Sequence, residues 1–207
     1  MAFLDEWLGK VWPGDCMEFM RRLPDGCVDL TLTDPPYGVG LLKDDTCVFQ
    51  WFDDARRISR NLVFTPGIVN VREFPKADWV LSWRKPAACS RGKGGFNTWE
   101  PILVYGTLSK PAGKADEITA HLGVPEADWH PCPKPPKLWS ELVQRYSIGG
   151  GIVFDPFMGS GTTGLICEQL GRPWLGCEIN PTYAALAEKR IAAERARVKL
   201  DFSEATP

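Results

Sequence analysis

Apolar and polar positions change period repeatedly along the chain. In CMEFMRRLPDG, residues 16–26, the apolar positions fall at helical spacing and the pattern ends at Pro24 and Gly26; VDLTLT, residues 28–33, then reads as a buried strand reached through a helix. RNLVFTPG (60–67) predicts a second short strand closed by Pro66-Gly67. DWVLSW (78–83) and EPILVYG (100–106) predict two more, an antiparallel edge joined by a basic, glycine-rich connection. Further on, KLWSELVQRYS (137–147) predicts a helix, GIVF (151–154) a strand, TTGLICEQLG (162–171) a helix and PWLGCEI (173–179) a strand. Asn180-Pro181 starts a closing helix over PTYAALAEKRIAAERARV (181–198). This alternation of helix and strand, without an internal repeat, predicts an α/β sheet. Residues 106–137 are rich in Pro, Gly, Lys and Asp and have little periodicity, so they read as a loop-rich excursion.

The first strand ends abruptly. Asp34-Pro35-Pro36-Tyr37 follows it, and neither proline can donate to a ladder, while Pro35 pushes Asp34 into an extended conformation. The result is a rigid corner carrying one carboxylate and one aromatic ring. A second corner lies in IVFDPFMGSGTTG (152–164), where a strand, an acid, a glycine turn and a helix start follow one another. Gly159, Gly161 and Gly164 satisfy G-x-G-x-x-G, and Glu178 closes the next strand about 20 residues later, as in dinucleotide sites. A nicotinamide or flavin enzyme therefore stands as one reading. Asp155, directly before the turn, repels phosphate and suits a cationic ligand such as the ammonium of a methionine moiety, which with a ribose points to S-adenosylmethionine.

Composition narrows the classes. At 207 residues and 44% hydrophobic content the chain forms one domain with a proper core. Its formal charge of -2 gives no global attraction to nucleic acid, so such a partner needs a local basic strip. One exists: Arg84, Lys85, Arg91, Lys93, Lys110 and Lys114 face a single acid, Glu100, in that stretch, interleaved with Trp83, Phe96, Asn97 and Trp99. Seven cysteines without a C-x-x-C pair, no signal-like start in MAFLDEWLGK and no apolar run of roughly 18 residues predict reduced thiols, a cytoplasmic location and no membrane. His130 and Cys132 have no second ligand pair, so no metal is expected. Pro131-Cys132 is read as loop structure rather than a nucleophile, and Cys16 and Cys177 as small packing groups.

Taken together, GDCMEFMRRLPDGCVDLTLTDPPY, WEPILVYG, HPCPKPPKLWSELV, DPFMGSGTT and GCEINPTYAALAEKRI, in this order, resemble the amino-methyltransferases that modify DNA bases, in the permuted arrangement that sets the Asp-Pro-Pro-Tyr tetrapeptide before the cofactor loop. The resemblance covers most of the chain. It implies a Rossmann-like fold with a mostly parallel sheet of about seven strands and a reversed hairpin, binding S-adenosyl-L-methionine at the carboxyl ends of the strands. It implies that Asp34, Pro35, Pro36 and Tyr37 are catalytic. By the same matching Asp15 and Cys16 lie near the cofactor's adenine and Glu178 at its ribose, while Lys134, Pro135, Asp155, Phe157, Gly159, Ser160, Gly161, Thr162 and Thr163 surround its methionine end. Asp34 and Ile179 are implied to touch the cofactor as well. DNA is the implied partner, a homodimer is compatible with it, and the short 106–137 segment stands where a large recognition domain is otherwise inserted. The implied reaction is transfer of a methyl group to N6 of adenine. N4 of cytosine, a dinucleotide-dependent oxidoreductase and a catalytically idle DNA-binding relative are the alternatives.

Overall fold

The computed structural model describes residues 2–38, 49–86, 90–92, 95–107, 114–121 and 134–204. In chain order its elements are α1 (Ala2–Trp7), β1 (Val11–Pro13), α2 (Cys16–Arg21), β2 (Val28–Thr33), α3 (Trp51–Ile58), β3 (Ser59–Phe64), β4 (Trp79–Arg84), β5 (Ser90–Gly92), β6 (Gly95–Asn97) and β7 (Trp99–Gly106). There follow β8 (Glu117–Thr119), α4 (Pro136–Tyr146), β9 (Val153–Asp155), α5 (Thr162–Leu170), β10 (Trp174–Glu178) and α6 (Pro181–Glu204).

Eight strands form one sheet in the order β1-β10-β9-β2-β3-β7-β4-β8, and β5 and β6 pair separately as a short hairpin. Five neighbours from β1 to β3 run parallel, β7 is antiparallel to both β3 and β4, and β8 is parallel to β4. The architecture is the expected Rossmann-like α/β sheet with one reversed strand, but with eight strands rather than about seven. The 79–84 and 99–106 strands do pair antiparallel, though not as the edge: β8, inside the stretch read as featureless, covers that side. Its three residues are too few to show a period.

Alternation along each strand builds two cores, one per face. Leu30, Leu32, Val63, Ile102, Val104, Val153 and Trp174 point toward α4, α5 and α6, where Trp139, Leu142, Ile166, Ala187 and Ile191 meet them. Leu62, Phe64, Leu103, Tyr105, Phe154 and Leu175 point the other way, onto Phe19 and Met20 of α2 and Trp51, Phe52, Ala55 and Ile58 of α3. Each fully buried Leu or Phe contributes about 1.5–3 kcal/mol, so a period-2 pattern with both faces covered specifies the register strongly. Local signals end the elements. Asp15 caps α2 by accepting from the Met17 N–H, Pro136 occupies the first turn of α4, and Asn180 accepts from the Thr182 N–H ahead of α6. Gly161 and Gly171 bracket α5 in the left-handed conformation. Among the described residues no helix is long and apolar enough to cross a membrane.

Successive strands leave the centre in opposite directions. β2 is followed outward by β3, whereas β9 is followed outward by β10 on the other side, so a crevice opens beyond the carboxyl ends of β2 and β9. A hydrogen bond bridges it at the base: Thr33 Oγ1 donates to Asp155 Oδ1 at 2.6 Å. Thr163 of α5 donates to Oδ2, the Phe157 N–H to Oδ1, and Trp139 Nε1 of α4 to Thr163 Oγ1 at 2.8 Å. One buried carboxylate thus ties β2, β9, α5 and α4.

Burial pushes the Asp155 carboxyl up from 3.8 to about 6, against the opposing pull of its donors Thr163, Thr33 and the Phe157 N–H, with the Asp34 charge adding to the rise. A folded-state value above the unfolded one means that the native state holds this proton more tightly. The associated stability is present in full below about pH 4 and is lost as the pH rises through about 6. Asp155→Asn, which cannot titrate, is therefore expected to lose relative to the parent at pH 4 and to gain on it by pH 7. Urea midpoints of both proteins across that range check it, and a pH-independent difference would contradict the buried-carboxyl account.

Candidate active site

Parallel strands deliver their successors to one edge of the sheet. Asp34 follows β2, Thr65 follows β3, Asp155 ends β9, Glu178 ends β10 and Asp15 follows β1. Because β7 is reversed, its first residues reach the same edge: Trp99 lies opposite Arg84 and Glu100 opposite Trp83. The topology therefore gathers at one rim acids and aromatics that are far apart in sequence.

Asp34 is enclosed by donors. Its Oδ1 accepts from the Tyr37 and Thr65 hydroxyls, and its Oδ2 pairs with the Lys134 ammonium. Tyr37 is itself pinned, since Asn70 Nδ2 donates to its carbonyl at 2.9 Å and its ring lies against Gly67. Gly67 has φ +70, and a Cβ there would meet the ring at 3.2–3.3 Å, so glycine is needed for both conformation and space. Burial, then the Asp34 and Glu100 charges, hold the Tyr37 phenol well above its ordinary range, so it remains a neutral donor to Asp34. Pro35 is buried and Pro36 half-buried beneath this corner.

The glycine turn is built against α6. Gly161 adopts φ +81, and a Cβ there would lie 3.1 Å from the Ala187 backbone. Arg190 Nη1 donates to the Ser160 carbonyl at 3.0 Å, and buried Ser160 and Thr162 share a hydroxyl contact of 3.3 Å. Glu178 orients the turn from the other side: Oε2 accepts from the Gly159 N–H at 2.8 Å and Oε1 from the Asn180 N–H at 2.9 Å. The Gly14 N–H donates to the Glu178 carbonyl, which sets Asp15 beside it. Cys16 is buried, and burial, then the Asp15 charge, push its thiol up to about 12, as befits a packing group. Cys177, also buried, is raised well above its ordinary value for the same first reason. Phe157 packs its ring on Trp51 at 5.6 Å, and Ile179 is exposed at the rim. The sequence-predicted residues Asp34, Lys134, Asp155, Gly159 to Thr163, Glu178 and Asp15 thus do share one cleft edge. Thr33, Thr65 and Arg190 were not singled out in the sequence, because each acts through a partner at least 30 residues away.

The donor set fits an adenosyl amino acid. A fixed acid at a strand tip beside an open glycine turn suits a ribose diol, Asp155 and Asp34 favour an ammonium, and Lys134 offers a cation for a carboxylate.

The basic strip is less uniform than its sequence. Lys85 is buried, paired with Glu100 Oε1 and 4.6 Å from the centre of the Trp83 ring, so it is not on the surface with the others. Arg84 is 61% exposed and lies 3.8 Å from Glu117, while Lys114 pairs with Glu141 at 2.6 Å. Arg84 and the exposed Trp99 share an open groove with Ser82, Thr98 and Glu117. Arg91 lies in β5. Lys93, Lys110, His130 and Cys132 lie outside the described residues.

Residues 84–189 match the family described as DNA methylase. The type II methyltransferase M.HpaI of Haemophilus parainfluenzae is 24% identical over 87% of this chain and 73% of its own length. Among solved structures, the M1.HpyAVI–SAM complex superposes with a TM-score of 0.69, 24% identity, and coverage of 87% of this chain and 98% of that one. The cytosine-N4-specific PvuII DNA methyltransferase does so at 0.68 with 15% identity, covering 93% and 95%. At these identities the structural likeness is one of fold, the methyltransferase form of the Rossmann-like sheet. The family match spans half of the chain and includes the glycine turn, Lys134, Asp155 and Glu178. The chain belongs to the DNA methylase family that comprises the N6-adenine and N4-cytosine amino-methyltransferases.

Proposed function

We propose that this chain transfers a methyl group from S-adenosyl-L-methionine to an exocyclic amine of a DNA base, and that the amine is N6 of adenine. The observation that carries the reading is the placement of Asp34-Pro35-Pro36-Tyr37 at the end of β2, across the crevice from Asp155 and the glycine turn. An aromatic amine is a poor nucleophile because its lone pair is delocalised into the ring. The Asp34 carboxylate and the Pro35 carbonyl each accept one N–H and hold the nitrogen more tetrahedral, with its lone pair directed toward the cofactor side of the crevice. The prolines keep these acceptors still, and Tyr37 offers a ring to a base taken out of the duplex. S-adenosyl-L-methionine, when bound, supplies an electrophilic methyl group on a sulfonium. Glu178 holds its ribose, with Ile179 beside it, and Asp15 and Cys16 lie toward its adenine. Asp155, Phe157, Pro135, Lys134 and the 159–163 turn surround its amino-acid end.

Arg84 and Trp99, exposed together on the rim groove, suit a phosphate and an aromatic contact with DNA. The chain acts as one catalytic domain in the cytoplasm, with residues 106–137 in place of a recognition domain. Few groups then reach base edges, so the target is short or degenerate. Within the resembling enzymes an aspartate at the place of Asp34 usually accompanies adenine, whereas serine is commoner in cytosine-N4 enzymes. The fold likeness to PvuII keeps N4 of cytosine as the second reading.

Incubation with genomic DNA and labelled S-adenosyl-L-methionine, digestion to nucleosides and mass spectrometry decide the product. Label in N6-methyladenine is expected; label in N4-methylcytosine alone would reject adenine and keep the mechanism. Asp34→Ala is expected to lower transfer by a factor on the order of 10² or more with the fold retained, since it deletes one preorganised acceptor. Near-normal turnover in the purified variant would remove Asp34 from the mechanism. Glu178→Ala is expected to weaken cofactor binding by about 1.5–3 kcal/mol, a loss that calorimetry reads directly as a higher Kd.

A further inference from the structure

The acceptor assigned to the target amine already has a donor. Asp34 Oδ1 is taken by the Tyr37 and Thr65 hydroxyls, and Oδ2 by the Lys134 ammonium. The pair is shielded, with side-chain exposures of 15% for Lys134 and 24% for Asp34. Lys134 Nζ also stands 5.7 Å from the centre of the Tyr37 ring and 5.9 Å from that of Trp83. A nitrogen carrying N–H donors, set on an Asp34 oxygen beside the Tyr37 ring, occupies the place that the amine of the base is to take.

The donors on Asp34 differ in their freedom to leave. Thr65 is buried directly after β3, and Tyr37 is fixed by Asn70 and Gly67. Lys134 is held only through a flexible four-carbon stem. That stem springs from the residue before Pro135 and α4, and α4 is locked to the glycine turn through Trp139 and Thr163. Its root is therefore tied through α4 to the glycine turn while its head rests on the tetrapeptide.

We infer that Lys134 is a positioning residue that couples the two substrates. With no amino-acid carboxylate in the cleft it rests on Asp34 and plugs the amine acceptor. A carboxylate arriving at the methionine end draws it off and leaves Oδ2 open to the base. The exchange is nearly balanced in kind, one charge-assisted pair for another, with the amine N–H replacing the ammonium on Asp34. Cofactor and base therefore bind cooperatively and not independently. The inference rests on the methyl-transfer reading above, but its test separates the two.

The measurement is DNA affinity as a function of one amino group. Two duplexes are compared, differing only at the base identified by labelling: one carries the amine and the other its des-amino analogue, purine for adenine or 2-pyrimidinone for cytosine. Each is titrated with saturating S-adenosylhomocysteine, which has the carboxylate, and with saturating 5′-methylthioadenosine, which lacks it. In the parent protein the amine is expected to raise affinity about tenfold or more with the first ligand and negligibly with the second. In Lys134→Met the tenfold preference is expected with both, because the plug is gone. Lys134→Arg, which restores a cation, is expected to restore the dependence on the carboxylate. An equal amine preference with both ligands in the parent protein overturns the coupling without recourse to any variant, and so does a Lys134→Met protein that keeps the parent's dependence. If labelled methyl is transferred and S-adenosylhomocysteine binds while the preference is ligand-independent, the coupling alone falls. If neither occurs, the functional reading falls and takes the coupling with it.

Discussion

The hydrogen bond from Thr33 to Asp155 is the contact on which the site depends. Strands β2 and β9 are sheet neighbours whose continuations part, so nothing in the backbone ladder fixes the distance between the loops that follow them. Thr33 and Asp155 fix it one residue before Asp34 and at the root of the glycine turn. Thr163 and Trp139 extend the same buried chain of donors into α5 and α4, and α4 in turn fixes where Lys134 begins. A fully satisfied polar network of this kind in a low-dielectric interior is costly to rearrange, which is how it specifies one geometry for groups contributed by four elements. The high position of the Asp155 carboxyl is the cost of keeping that charge out of water.

Charge at the rim follows from the same gathering of strand ends. Acids meet there because parallel strands all end on one side, and the cations that accompany them are mostly committed. Lys85 neutralises Glu100 within the protein, while Lys114, away from the rim, lies against Glu141 and Arg84, at the rim, against Glu117. Exposed pairs of the last two kinds are worth little, so a phosphate can replace the carboxylate partner at small cost. A chain of net charge -2 has no global attraction for a polyanion, and what it offers instead is a few cations in exchangeable exposed pairs.

The long strands and helices were legible because their periods run over six or more residues. Helix α3 was not singled out, although Trp51, Ala55 and Ile58 have the i, i+4, i+7 spacing of one buried face. Asp53, Asp54, Arg56 and Arg57, interleaved with those positions, masked that signal. β1 and β8 are three residues each, and a proline ends β1, so neither shows a pattern; both exist because a neighbouring strand offers a ladder. At the site, Asp34-Pro35-Pro36-Tyr37 and the glycine turn stood out because proline and glycine constrain the backbone locally, where sequence can be read. The partners Thr33, Thr65 and Arg190 did not, since a hydroxyl or guanidinium acquires meaning only from residues brought near by folding. Lys85 misled for the same reason: as a letter it belongs to a basic run, and only the pairing of β4 with β7 shows that it is opposed by Glu100 beneath Trp83. The glycine fingerprint that allowed a dinucleotide reading is settled by the family match, not by the glycines themselves.

Two acceptors at the end of β2 would not by themselves separate adenine from cytosine. Two acceptors recognise an amine beside a ring nitrogen, an edge common to both bases. Tyr37 does not discriminate by moving, because its hydroxyl, its carbonyl and one ring face are each fixed, by Asp34, Asn70 and Gly67. Trp83 is equally fixed: it is 1% exposed, its Nε1 donates to the Ala120 carbonyl, and Lys85 and Lys134 lie 4.6 and 5.9 Å from the centre of its ring. Trp83 is held by β4, β7 and the segment after β8, so its ring is placed by how the far side of the sheet packs. Tyr37 and Trp83 are thus held by packing and hydrogen bonds, whereas Lys134 reaches Asp34 only through a flexible stem, so the carboxylate's surroundings combine two fixed rings with one mobile cation.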